Sequence, residues 1–249
     1  MQQWFYNMTE QLQKITPSTD FIAGQMILID KPLRWTSFDV VNKLRYKIRD
    51  YHQVKKVKVG HAGTLDPLAT GLLIICTGRF TKKLESFQAQ NKEYTGTIEL
   101  GRETPSYDLE TETSKTHDIS SISEDQIHAA AQSLTGNQKQ YPPVFSAKKI
   151  KGKRAYSYAR KQEDVMMEPN DVFIESFEIT GIDWPYIHFR VACSKGVYIR
   201  SLAHDFGKVL NNGACLTTLR RTRIGDFSVE DAFNIDELVN LLHEARNNV

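Results

Sequence analysis

What most constrains this chain is the irregular order in which two hydrophobic periodicities follow one another. From Lys92 to Leu100 the residues alternate. Tyr94, Gly96, Ile98 and Leu100 share one face and Glu93, Thr95, Thr97 and Glu99 the other, the pattern of a half-buried strand with Tyr94 pointing inward. Ile187, Phe189, Val191 and Cys193 repeat it, and Val172 to Ile182 precedes them as the other half of a hairpin or strand pair. Further strands are expected at Gln25 to Asp30, Leu72 to Cys76 and Leu216 to Arg221. Helical spacing appears instead in Phe38, Val41, Leu44 and Ile48, with Thr36 or Ser37 placed to cap and Asp39 suited to the positive end. A second helix begins at the capping-box pair Ser123 and Gln126, carries Ile127, Ala130 and Leu134, and stops at Gly136. Others carry Leu202, Phe206 and Leu210, then Leu238, Leu241 and Leu242. No internal repeat is present, and strands and helices do not alternate regularly enough for a doubly wound sheet. The expected fold is a mixed α+β domain.

A chain of 249 residues can bury a sizeable core without covalent staples. Cys76, Cys193 and Cys215 are far apart and form no Cys-x-x-Cys pair, so neither a disulfide framework nor a thiolate metal site is indicated, and a reducing cytoplasm fits best. No apolar run approaches the length of a membrane span, and Trp4, Phe5 and Tyr6 are not part of a basic-then-apolar leader. The segment up to Gly24 is expected to be a peripheral extension. Lys+Arg and Asp+Glu number 32 and 30, so overall charge says little about partners. Its distribution says more: Lys148, Lys149, Lys151, Lys153 and Arg154 crowd one short stretch, and Arg220, Arg221 and Arg223 another.

The richest stretch is Gly60-His61-Ala62-Gly63-Thr64-Leu65-Asp66-Pro67-Leu68-Ala69-Thr70-Gly71. Proline fixes its own backbone angle and restricts the residue before it, so Asp66 belongs to a stiff loop able to hold a carboxylate toward a ligand. An aspartate that only bends a turn is the plain alternative for a lone Asp-Pro pair. Tyr94 by its spacing alone is equally a core residue or a stacking residue. Arg200 follows Tyr198 by two positions, which on one strand face would bring both into a single cleft.

Gly60 to Gly71 resembles the signature of the bacterial tRNA pseudouridine-55 synthase family. Other blocks resemble that family in the same order: Asp30-Lys31-Pro32 with Trp35-Thr36-Ser37, Lys92 and Tyr94, and Gly101 through Asp108. Tyr141-Pro142-Pro143, Ser146-Ala147-Lys148 and Gly152-Lys153 through Arg160 follow, then Cys193 through Leu202 and Leu219-Arg220-Arg221. The likeness spans residues 25 to 225. It implies a catalytic domain built on a mixed, largely antiparallel sheet with a long cleft and an RNA-clamping insertion over residues 101–160. A short helical tail at 226–249 stands where many members continue into a full RNA-binding domain.

The resemblance implies isomerisation of uridine to pseudouridine at position 55 of the tRNA T-loop after base flipping, without cofactor or metal. Asp66 falls at the catalytic aspartate, acting as a nucleophile toward sugar or base or as an electrostatic partner of a cationic sugar. Arg200 is the guanidinium that keeps it ionised, Tyr94 stacks on the uracil, and Tyr198 lies near the reacting ring. His61 is implied to enter the RNA stack in place of the flipped base, and Asp108 to move toward the arginine, although Thr104-Pro105-Ser106-Tyr107 departs from more polar versions of that motif. Lys31 shapes the cleft and Leu219 walls the uracil pocket. Lys148, Lys151, Lys153, Arg154, Arg220 and Arg221 would meet phosphates. The expected partner is the T-stem and loop of tRNA, bound by a cytoplasmic monomer with no membrane association. An isomerase acting on another RNA and a noncatalytic tRNA-binding factor are the alternatives, the second disfavoured by intact Asp66, Tyr94, Tyr198 and Arg200. A glycoside hydrolase is disfavoured because the motifs supply no acidic pair.

Overall fold

The structure, a computed structural model, describes residues 16, 18–146, 149–150, 153–154 and 167–247. They fall into two compact units, one formed by Met1–Gln90 with Arg220–Val249 and the other by Asn91–Leu219.

The first unit begins with β1 (Met26–Lys31), α1 (Ser37–Tyr51), β2 (Val59–Ala62), β3 (Ala69–Thr77), a 3₁₀ turn (Gly78–Lys83) and α2 (Leu84–Gln88). Strand β3 is antiparallel to β1, with Met26 opposite Cys76 and Lys31 opposite Gly71, and to β2, with His61 opposite Ile75. Its apolar residues run consecutively because both faces are covered. Leu73 and Ile75 join Ile27, Ile29, Val41 and Leu44 in one cluster, while Leu72, Ile74 and Cys76 join Met26, Leu28 and Phe87 in another. Thr36 caps α1 through a complete capping box with Asp39, worth about 1 kcal/mol for the cap alone.

Two expectations are corrected in this unit. Phe38 is 59% exposed; the buried stripe of α1 runs through Ser37, Val40, Val41, Leu44 and Ile48, which sets Phe38 on its flank. The segment before Gly24 is not wholly peripheral either. Phe21 is fully buried, lies edge-on to Tyr51 at 5.8 Å and donates its N–H to His52 Nε2.

The second unit contains β4 (Lys92–Leu100), a small hairpin of β5 (Arg102–Glu103) and β6 (Lys115–Thr116), α3 (Glu124–Ser133) and β7 (Gly136–Gln140). Then come the paired β8 (Lys149–Ile150) and β9 (Lys153–Arg154), the long hairpin β10 (Asn170–Asp183) and β11 (Tyr186–Cys193), α4 (Ile199–Val209) and β12 (Ala214–Ile224), whose Leu219 closes the unit. Within it the strand order is β12-β4-β11-β10-β7, and the pairs β4/β11, β11/β10 and β10/β7 are antiparallel. Helix α4 packs on this sheet through Phe206, whose ring sits 5.6 Å from Phe177 on β10, itself 5.7 Å from Phe189 on β11.

From Arg220 the chain rejoins the first unit, adding the end of β12, β13 (Phe227–Ser228), β14 (Phe233–Asn234) parallel to β1, and α5 (Ile235–Asn247), which buries Ile235, Leu238 and Leu242 in the cluster beside α1. The expected α+β class with largely antiparallel pairing is the one found. Among the described residues no helix is long and apolar enough to cross a membrane.

Candidate active site

In the first unit the Asp66 loop joins β2 to β3 and is fastened on both sides of the carboxylate. Leu65, 3% exposed, donates its N–H to Ser37 Oγ at 2.8 Å, and that hydroxyl donates to the Leu65 carbonyl at 3.2 Å. This explains why a serine occupies the buried stripe of α1. The Asp66 carbonyl accepts from Ala69 N–H at 3.1 Å, closing a turn with Pro67 at its second position, and the Pro67 carbonyl accepts from Arg34 N–H at 2.7 Å. Asp66 itself is half-buried.

Two buried cations support this loop. Lys31 is fully buried and its Nζ donates to the carbonyls of Pro32 at 2.9 Å and Trp35 at 2.6 Å. Burial pulls its pKa down to about 8; the Asp66 carboxylate opposes that shift and the Arg221 charge adds to it. Arg221, 1% exposed, donates from Nε to the Leu72 carbonyl at 2.8 Å and from Nη2 to the Gly63 carbonyl at 3.0 Å. At Gly71, with φ +101°, a Cβ would collide with the Arg221 backbone, so only glycine admits this approach.

Arg221 therefore acts as an internal staple, its guanidinium committed to backbone carbonyls instead of turned out toward phosphate. Arg220 makes a forked ion pair with Asp30 at 3.0 and 2.7 Å, with part of its side chain exposed. His61 is on strand β2, ahead of the loop that carries Asp66. It is half-buried, and its Nδ1 has no hydrogen-bond partner among the described residues. Burial first, then the Arg221 charge, push its pKa below the usual histidine value, with the Gly63 backbone opposing, so the ring is neutral at neutral pH.

In the second unit Tyr94 lies opposite Val191 and is 8% exposed, inward as its alternation requires. Tyr198 caps α4 and is clamped by the Gln140 amide, which accepts its N–H at 2.7 Å and donates to its carbonyl at 3.1 Å. Arg200 sits in the first turn of that helix. The shared-strand-face argument for Tyr198 and Arg200 therefore fails, because the backbone turns helical at Ile199 and directions no longer alternate.

Arg200 is 3% exposed and spans two segments, donating to the carbonyls of Ser106 at 3.2 Å and Phe145 at 2.9 Å, with Nε 3.6 Å from Asp108 Oδ2. Asp108 is itself buried; its Oδ1 accepts from Glu110 N–H and its carbonyl from the hydroxyls of Thr104 and Ser106.

The same helix contributes side chains that sequence reasoning missed. Ser201 Oγ donates to the Tyr141 carbonyl at 2.7 Å. One turn beyond Arg200, His204 stacks on Tyr107 at 3.9 Å and 10°, and Tyr107 holds φ +63° immediately before Asp108. Burial pulls the His204 pKa down to about 4, helped by Lys208 and opposed by Glu103. The available sequence signal was the helical spacing of Arg200 and His204.

Leu219 is half-buried at the end of the unit. Lys148 and Lys151 lie outside the described residues, while Lys153 and Arg154 form β9, paired with β8. Among the described residues no three His, Cys, Asp or Glu side chains gather closely enough to hold a metal ion.

Residues 49–199 match the family described as TruB family pseudouridylate synthase (N terminal domain), and residues 200–248 match the tRNA pseudouridylate synthase B C-terminal domain. The chain is 54% identical over 222 residues to tRNA pseudouridine synthase B of Flavobacterium johnsoniae, covering 89% of this chain and 96% of that one. It is 49% identical over 225 residues to tRNA pseudouridine synthase B of Parabacteroides distasonis, covering 90% and 96%. Among solved structures it is similar to a chain in the crystal structure of a Cbf5-Nop10-Gar1 complex, with TM-score 0.66, 26% identity and coverage of 92% of this chain. It spans 58% of that longer chain.

Proposed function

The chain belongs to the TruB family of pseudouridylate synthases, and on that premise we propose that it isomerises uridine to pseudouridine in tRNA, at position 55 of the T-loop, with Asp66 as the reactive carboxylate. The reaction breaks the bond from the uracil nitrogen to the sugar, turns the base and forms a carbon–carbon bond to the same sugar carbon; that base carbon loses its proton and the freed nitrogen takes one up, so the product is an isomer of the substrate. Nothing is oxidised or reduced. A fixed carboxylate can attack sugar or base, or stabilise a cationic sugar while the base is free.

The observation that carries this reading is the Asp66 turn, pinned before and after the carboxylate and backed by the buried Lys31 ammonium. Rigid positioning of a reacting group is a large source of rate enhancement. Arg200 is the guanidinium we assign as the partner of the reactive carboxylate, with Asp108 as its alternate partner. We assign Tyr94 to stacking on the uracil, Tyr198 to proton removal near the reacting ring and Leu219 to the pocket wall. A neutral His61 suits insertion into an RNA stack, because an uncharged ring can replace a base without desolvating a charge. Phosphate contact falls to Lys148, Lys151, Lys153, Arg154 and the exposed part of Arg220. The buried free thiols of Cys76, Cys193 and Cys215 fit a reducing cytoplasm, where we place the protein as a monomer.

The test is Asp66→Asn, which keeps size but removes charge and nucleophilicity. Single-turnover pseudouridine formation on unmodified tRNA should fall by more than about 10³-fold, since removing a single reacting group from an active site costs about 10⁴–10⁶, with RNA binding retained. Activity within tenfold of wild type would remove Asp66 from the chemistry.

A further inference from the structure

We propose that a basic groove in the first unit is a built site for an RNA sugar–phosphate backbone. The proposal rests on the RNA-modifying reading above for the kind of polyanion involved. The groove encloses about 770 Å³. Arg45 and Arg49 enter it from α1, four residues apart and so on one helix face. Lys55, Lys56 and Lys58 enter from the connector to β2, and Arg79 and Lys82 from the 3₁₀ turn. No carboxylate lines it. Among the described residues none of these cations forms an ion pair, and all except Arg45 are exposed.

The overall charge of the chain is only +2, so this concentration of one sign is not a by-product of a basic composition. Like charges held together without counter-charges oppose folding, yet the segments carrying them are sewn to one another. Gly78 N–H donates to the Lys58 carbonyl at 2.9 Å, Arg79 N–H to the Ala23 carbonyl at 3.2 Å, and Arg45 Nη2 to the Val59 carbonyl at 3.2 Å. Gly78, at φ +48°, lies so close to the Ile22 and Gly24 backbone that a Cβ would collide with both. The cations are thus presented on a rigid rim.

Several exposed cations spread along an open groove suit the repeated charges of a nucleic-acid backbone better than one enclosed phosphate. Ammonium and guanidinium groups there would position RNA without reading its bases. The place is apt as well. Strand β2 starts at Val59, directly after Lys58, and His61 follows about 10 Å along at strand rise. An RNA held in the groove would run beside the strand that leads into the Asp66 loop.

The decisive variant changes Lys55, Lys56, Arg79 and Lys82 together to glutamine, leaving Arg45 and Arg49 to maintain α1. Its control changes the exposed Lys115, Lys139, Lys195 and Lys208 to glutamine, removing the same charge elsewhere. Binding of unmodified tRNA would be measured across a salt series, with single-turnover conversion at saturating RNA. The groove variant should bind at least about tenfold more weakly at 0.1 M salt, and its slope of log affinity against log salt should shrink by about two to four, near one per lost phosphate contact. Its rate at saturation should stay within about twofold of wild type, and the control should keep its affinity within about threefold. A slope unchanged to within about half a unit, or an equal loss in the control, would overturn the proposal. So would unchanged tRNA binding accompanied by lost binding to anionic phospholipid vesicles. If wild type forms no pseudouridine the functional reading fails, whereas the binding comparison still decides the groove.

Discussion

Lys31 shows how one residue can carry opposing demands. Full burial favours the neutral amine, while two carbonyl acceptors and the Asp66 charge favour the ammonium, leaving a pKa of about 8. If that charge supports the Asp66 carboxylate, single-turnover rate should fall as pH rises through about 8. Stability should move the other way. Between about 8 and the unshifted value of 10.5 the unfolded lysine binds more proton than the folded one, so this group makes unfolding harder as pH rises across that window. Lys31→Met should react more slowly than wild type at pH 7 but lose the alkaline break in its pH–rate profile. A break at the same pH in that variant would assign the titration to another group.

Helix α4 is the element in which most of the unplanned structure resides. Its first two turns grip two segments, through Arg200 to Ser106, Asp108 and Phe145, through Ser201 to Tyr141, and through His204 to the ring of Tyr107. The stack braces a left-handed residue next to Asp108 and so positions the arginine's partner. His204→Ala should lower the single-turnover rate about tenfold at saturating RNA while leaving tRNA affinity within about twofold, and His204→Phe, which keeps a stacking ring, should recover most of the loss. The stack itself is worth about 0.5–1.5 kcal/mol. Because the folded pKa of His204 is depressed from 6.5 to about 4, the unfolded chain takes up the proton first. Its contribution to stability is then complete above pH 6.5 and is lost as pH falls toward 4. Urea midpoints at pH 7 and pH 5 should therefore differ less in His204→Phe than in wild type; an equal difference would mean that His204 is not the buried neutral group.

For the molecule as a whole, recognition is expected to centre on the T-arm, so a hairpin of T-stem and loop should bind and react within tenfold of full-length tRNA, with a similar salt slope. A larger defect with a clearly shallower slope would reveal contacts elsewhere on the tRNA. Periodicity and punctuation determined the α+β class, the capped helices and the hairpin of β10 and β11, because these depend on neighbours a few residues apart. The Asp66 loop was legible for the same reason: Gly63, Pro67 and Gly71 declare their backbone needs locally. Tertiary structure alone decided what the charged residues do. Arg220 and Arg221 read as one basic pair, yet one meets Asp30 and the other is consumed by the carbonyls of Gly63 and Leu72. Arg45, Lys56 and Arg79 stand in three separate stretches of the sequence, yet they line one groove. A charge carries no periodicity of its own, and its role depends on what folding places opposite it, which for these residues is chain more than ten positions away.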